Sequence, residues 1–283
     1  MSGITVLSLF DGIACGAQAL KNAGVDVKIY YASEINTDAM KIAWKNHPEI
    51  IELGDVRAWK HWKINWSEID LLIGGSPCQG FSQAGRKAGL DDERSGLFFE
   101  YLNILNRIQS VNPAVKFLLE NVKMNPIEEK LISGYLRTRP VLINSSLVSA
   151  QNRERLYWAN WEIRPPKDKK IPFARILDGA TTDKEKCPCI LTRIDRHNKN
   201  TKENEREKPF KVKAETGEMR YLTPEECEEA QTLPVGYTEG IPKSKRYECI
   251  GNGWTIAVIT YLFQQMNGKT VRQANFGVVL KNG

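Results

Sequence analysis

Apolar and polar positions switch between two periods along the first 160 residues. Ile4–Phe10 is a β-branched and aromatic run that stops at Asp11-Gly12, and Gly16–Ala23 carries the apolar spacing of a helix. Val27–Ser33 predicts a second strand, closed by Glu34, and Asn36–Asn46 a second helix capped by Asn36 or Thr37. Ile69–Gly74 is an apolar run, broken only by Asp70, that leaves through Gly75, Ser76 and Pro77. Leu97–Ile108 reads as a helix, and Val115–Leu119 as a strand ending at Glu120. Short apolar runs separated by helical patterns predict βαβ units, and hence a parallel sheet covered on both faces. In such sheets ligands bind beyond the carboxyl ends of the strands. The polar signals Asp11-Gly12, Glu34, Pro77-Cys78 and Glu120-Asn121 all fall there.

From Ile163 to about Gly217 the periodicity fails. Pro165-Pro166 opens the stretch, and Lys, Asn, Glu and Gly dominate it. A small second domain or a long insertion is expected. Order returns at Thr223, a good N-cap, with Pro224 suited to the first helical position and Glu226 completing a capping box. A final helix is expected from Trp254 to Met266.

Composition narrows the class. The chain has 283 residues, 41% hydrophobic and 26% charged, which is ordinary globular usage rather than that of a disordered tail or a fibre. No apolar run reaches the roughly 18 residues of a membrane span, and Met1–Phe10 lacks the basic start of a signal peptide. A soluble, cytoplasmic protein is expected. Six cysteines are too few for a disulfide scaffold, so free thiols are expected. Net charge is +6, yet Arg164–Lys213 alone holds 15 basic and 8 acidic residues, more than the whole positive excess. Such a patch favours an anionic partner, nucleic acid foremost, with a solvated lysine-rich loop as the alternative.

Two groups of residues carry candidate chemistry. Phe10–Gly16 follows a strand and opens a helix, with glycines that let backbone approach a ligand. Glu34 at the next strand end suits two bonds to ribose hydroxyls. The glycine spacing is not that of the nicotinamide fold, and Asp11 would repel a pyrophosphate. An adenosine cofactor with a cationic amino-acid tail fits, and S-adenosyl-L-methionine is one. Asp55 offers an acceptor for an adenine amino group. In the second group, Cys78 lies in the small-residue segment Gly74–Ser82, where a thiol can serve as a nucleophile in its thiolate form. Glu120 could act as an acid if burial raised its pKa. Arg153 and Arg155 alternate before Leu156-Tyr157-Trp158, which places both guanidiniums on one strand face. An ion pair on the sheet rim is the plainer reading of each. Cys187 and Cys189 with His197 fall short of a four-ligand zinc site, so no metal is expected. Cys15, Cys227 and Cys249 read as packing, and Trp59, Trp62 and Trp66 as a cover for the sheet edge.

In order, the Phe10–Gly16 turn, Glu34, Asp55, Pro77-Cys78-Gln79, Glu120-Asn121-Val122, Gln151 with Arg153 and Arg155, Arg220–Glu226 and Gly251-Asn252 resemble the motif set of cytosine-C5 DNA methyltransferases. The resemblance covers most of residues 4–160 and 220–267. It implies an α/β fold, the Rossmann-like mixed sheet of S-adenosylmethionine-dependent methyltransferases with a small, irregular target-recognition domain. Residues 1–162 plus 246–283 would form the catalytic and cofactor-binding domain, and 163–245 the target-recognition region. By resemblance Cys78 is the nucleophile on C6 of a flipped-out cytosine, Glu120 bonds N3, Arg155 bonds O2, and Arg153 helps hold Glu120 and the site in register. Phe10 would stack on adenine, with backbone from Asp11, Gly12, Ile13 and Ala14 around the methionine part. Glu34 and Ile35 would take the ribose side, and Asp55, Val56 and Arg57 the adenine amino group. Pro77, Asn252, Gly253 and Trp254 would close the pocket. Many relatives carry Ser or Ala where this chain has Gly253. The segment Gly80–Gly89, with Ser82, Arg86 and Lys87, would be the lid over the base. Implied partners are duplex DNA and, in a restriction-modification pair, a cognate endonuclease. A monomer is expected by default, a homodimer being the alternative, in the cytoplasm of a bacterium or a phage-infected cell. Transfer-RNA cytosine methyltransferases share the motif set, and a catalytically dead DNA-binding regulator is the rival from another class.

Overall fold

The computed structural model describes residues 3–76, 93–194 and 210–266. Its centre is a seven-stranded sheet. Strands β1 (Ile4–Leu9), β2 (Val27–Ser33), β3 (Ile51–Glu52), β4 (Leu71–Gly74), β5 (Lys116–Val122), β6 (Val141–Asn144) and β7 (Glu154–Ala159) lie in the order β3-β2-β1-β4-β5-β7-β6. The first five strands in that order, β3-β2-β1-β4-β5, are parallel to one another, and β7 runs antiparallel to both β5 and β6. The sheet is therefore mixed. The apolar run Leu156–Trp158 predicts a strand but carries no mark of direction, which is why pattern alone gave a wholly parallel sheet.

Helices cover both faces, and the continuous apolar strands follow from that double burial. On one face α1 (Cys15–Asn22), α2 (Thr37–Asn46) and a C-terminal helix, Ile256–Gln264, pack Ala19, Ile42 and Ile259 with Val6 and Tyr157. On the other, α3 (Glu93–Gln109) and α4 (Pro126–Leu136) pack Phe98, Tyr101 and Ile132 with Leu7 and Leu72. Trp59, Trp62 and Trp66 lie against this second cluster, and Trp59 Nε1 donates to Glu100. Asn36 caps α2 by accepting the amides of Asp38 and Ala39.

A third, smaller core gathers Phe173, Ile176, Cys187, Phe210, Val212, Leu222, Cys227, Tyr247 and Ile250. It lies with an antiparallel sheet of β8 (Ala180–Thr181), β9 (Lys211–Ala214) and β10 (Met219–Tyr221), and with α5 (Pro224–Ala230) and α6 (Lys243–Asn252). The Thr223–Glu226 capping box forms as its sequence requires. Leu233 and Tyr237 instead join the first core, where the Tyr237 hydroxyl donates to the Ile13 carbonyl.

Two boundaries differ from the pattern. β5 continues to Val122, because Glu120, Asn121 and Val122 pair with Tyr157, Leu156 and Arg155. The C-terminal helix, α7, starts at Ile256 rather than Trp254, because the Gly253–Thr255 backbone is taken up by tertiary bonds.

Candidate active site

The glycine turn at the end of β1 is wound tightly. Phe10, Gly12 and Ala14 all have left-handed φ values, 57°, 62° and 59°. A non-glycine residue there carries strain of order 1–3 kcal/mol, so tertiary contacts must hold the turn. Glu34 does much of this: Oε2 accepts the Gly12 amide, and Oε1 accepts the amides of Ile35 and Asn36, each at 2.8 Å. A carboxylate has about four lone-pair sites. One is left on Oε2, so Glu34 keeps one acceptor for a ribose rather than the two its position suggested.

Asp11 is buried under the turn. Its Oδ1 accepts the hydroxyls of Ser8 and Tyr30 at 2.5 and 2.7 Å, while Oδ2 is buried without a partner among the described residues. Desolvation pushes its pKa up to about 6. Glu52, at the end of β3, also has both carboxyl oxygens buried without partners, and burial beside Asp11 and Glu34 pushes it up to about 7. Sequence reading missed Glu52. Its only signal is a carboxylate closing the short apolar run Ile50-Ile51. Asp55 caps a 3₁₀ turn and is held below the usual carboxylate range by the Arg57 side chain, 2.6 Å away. Next to Glu34, Ile35 is an apolar side chain 67% exposed among the described residues. Asn252 is exposed and Val56 buried.

The second group assembles at β5 and β7. Glu120 pairs with Tyr157, so Arg155, two residues earlier on β7, lies diagonally across on the same face. Arg155 Nε meets Glu120 Oε1 at 2.9 Å, and the Trp254 indole Nε1 donates to Oε2 at 3.0 Å. Asn121 Nδ2 donates to the Ser76 carbonyl, 3.1 Å away, tying β5 to the segment that follows β4. Gly75 lies so close that a Cβ would fall 3.0 Å from both Glu120 Oε2 and Trp254 Nε1.

Arg153 corrects an expectation. It does not bond Glu120. It is 4% exposed, and its guanidinium donates to Cys189 Sγ and to the carbonyls of Ile190, Gly251 and Gly253. Burial lowers its pKa. Gln151 makes a parallel tie, donating to the Ala230 carbonyl and accepting the Ile190 amide. Both residues fasten the small third core to the main sheet. Cys15 is buried against Trp254, and desolvation pushes its thiol up to about 12. Pro77, Cys78, Gln79, the Gly80–Gly89 segment and His197 lie outside the described residues.

The arrangement joins a carboxylate-lined turn to a buried carboxyl held by two donors. A family model described as C-5 cytosine-specific DNA methylase matches residues 4–161 and 160–268. An orphan methyltransferase of Bacillus phage rho11s, M.Rho11sI, is 39% identical over 170 residues, which are 56% of this chain and 33% of that protein. The match thus spans about a third of the phage protein's length. The Type II methyltransferase M1.ScrFI of Lactococcus lactis subsp. cremoris is 26% identical over 313 residues, 92% of this chain and 77% of its own. Among solved structures, a mutant of Spodoptera frugiperda DNMT2 has a TM-score of 0.65 at 19% identity, covering 93% of this chain and 99% of that one. The Entamoeba histolytica methyltransferase EhMeth has a TM-score of 0.68 at 16% identity, covering 94% and 98%. These likenesses show the fold of the methyltransferases. No helix among the described residues is long and apolar enough to cross a membrane.

Proposed function

The chain belongs to the C-5 cytosine-specific DNA methylase family, and we propose that it methylates C5 of cytosine in a short duplex DNA site through a covalent bond from Cys78 to C6. The observation that supports this reading best is the Glu120–Arg155 pair, 2.9 Å apart at the strand ends beside the glycine turn. Both residues lie in segments whose sequence resembles the family's motifs.

S-adenosyl-L-methionine fits the residues of the turn. Oδ2 of Asp11, buried and unpartnered, suits a cationic tail, and exposed Ile35 suits an apolar ring face. Phe10, Asp11, Gly12, Ile13, Ala14, Glu34, Asp55, Val56 and Arg57 would hold it, with Pro77, Asn252, Gly253 and Trp254 on the other wall. Bound there, it supplies an electrophilic methyl group on a sulfonium.

C5 of cytosine is too electron-poor to take that methyl unaided. The Cys78 thiolate forms a bond to C6, and the C5–C6 π electrons shift toward C5 and the N3–C2–O2 system. Glu120 gives a proton to N3 and Arg155 donates to O2, which stabilises the charge developing there. Donors of this type are typically worth about 2.7–4 kcal/mol. After methyl transfer a water or hydroxide removes the C5 proton, the C5–C6 double bond reforms, the thiolate leaves and N3 returns its proton to Glu120. The base must be flipped out of the stack, at a cost of a few kcal/mol. The region 163–245, with its basic Arg164–Lys213 segment, is proposed to contact phosphates and read the target.

A duplex carrying 5-fluorocytosine tests the covalent step, because fluorine at C5 cannot leave as a proton. A stable protein–DNA adduct with the wild type and none with Cys78→Ser is expected. No adduct with either would favour a catalytically dead regulator, and methylation of transfer RNA alone would overturn the choice of polymer.

A further inference from the structure

Glu120 is held from two sides, and only one of them is the expected arginine. The second donor is Trp254, the first residue after the Gly253 cap of α6. Its backbone carbonyl accepts the Cys15 thiol, 3.8 Å away, in the first turn of α1. One residue therefore touches the cofactor turn with its main chain and the catalytic carboxyl with its side chain. Gly75 presses on the same spot, since a Cβ there would come within 3.0 Å of the Trp254–Glu120 bond at both ends. Trp254 is half-buried, so its ring is not part of either apolar core's interior.

We infer that Trp254 is a positioning residue for Glu120: its indole N–H fixes Oε2 while Arg155 fixes Oε1, so the carboxyl plane is set before a base arrives. With one donor, a carboxyl group rotates freely about its last bond. With two donors on different oxygens, the remaining lone pairs keep one direction. Geometry fixed in advance is what a proton donor to N3 requires. The inference rests on the reading of Glu120 as the residue that meets the base.

The test uses the protein without cofactor. Thiolate addition at C6 makes C5 basic; C5 then takes a solvent proton and, on reversal, loses the hydrogen it carried. Release of tritium from a duplex labelled at cytosine C5 therefore reports the addition step, with Cys78, Glu120 and Arg155, and not methyl transfer. Trp254 is replaced by Phe and by 3-benzothienylalanine, which keeps the ring shape but has no N–H. Both variants should release tritium about tenfold more slowly, the loss of one hydrogen bond. Cofactor affinity, measured by calorimetry on both variants, separates loss of the N–H from displacement of the ring. Normal exchange in the benzothienyl variant overturns the inference, as does slow exchange that comes only with lost cofactor affinity. Wild type and Glu120→Gln run alongside. If the wild type releases no tritium, the reading of the site fails and the inference with it.

Discussion

Arg153, just before β7, and Arg155, within it, stand two residues apart, yet they hold different things. Arg155 reaches the Glu120 carboxyl at 2.9 Å, whereas Arg153 is buried against three carbonyls and the Cys189 sulfur. Arg155→Ala should therefore lower turnover by about 10²–10³ with little loss of stability. Arg153→Ala should remove four hydrogen bonds from a buried site and lower stability by about 3 kcal/mol. Thermal denaturation beside a methylation assay separates the two. Equal melting losses in both variants would contradict the division.

Asp11 makes cofactor affinity depend on pH. Its pKa of about 6 in the free protein means that it carries full charge only above that value. A cationic tail binds the ionised form. Affinity for S-adenosyl-L-methionine should thus weaken as pH falls below about 6, approaching tenfold per unit. Asp11→Asn should bind more weakly at pH 8 and lose that acidic limb. Calorimetric titration from pH 8 to 5 reads both, and an unchanged limb in the variant would remove Asp11 from the pocket.

Glu52 should oppose folding at high pH. Its folded value of about 7 lies above the ordinary 4.5, so the native state keeps its proton longer than the unfolded chain. Stability from this group is full below pH 4.5 and is lost as pH rises through about 7. Glu52→Gln should raise stability at pH 8 by about 1 kcal/mol, a figure reduced for its half-exposed position, and change nothing at pH 4. Urea unfolding at the two pH values provides the check. A variant that is destabilised at pH 8 would show that the ionised carboxylate is needed.

Gly253 is a matter of space rather than conformation. Its φ is −69°, open to any residue, but a Cβ would sit 3.2 Å from Cys15 Sγ and 3.3 Å from the Cys249 carbonyl. Gly253→Ser should lower stability by about 1–2 kcal/mol, and Cys15→Ala should relieve part of that loss. The double-mutant cycle measures the coupling. Additive effects would mean that the two residues do not share the space.

The sequence by itself determined the layers of the fold and the chemistry available to it. Continuous apolar runs closed by Asp11, Glu34 and Glu120 required strands buried on both faces, with their polar residues at one edge. The capping signals at Asn36 and Thr223 needed only neighbouring amides, so they were legible locally. The tertiary structure alone decided direction and partnership. β7 runs antiparallel because of its pairing with β5, and that pairing carries Arg155 to Glu120. Two arginines with the same local spacing divided their roles according to which carbonyls the distant segments at 189–190 and 251–253 brought near. Trp254 reached Glu120 across 134 positions of chain, and Glu52 came beside Asp11 across a strand junction. Period and capping depend on residues a few positions apart, whereas hydrogen bonds and desolvation depend on whatever the closed chain places alongside.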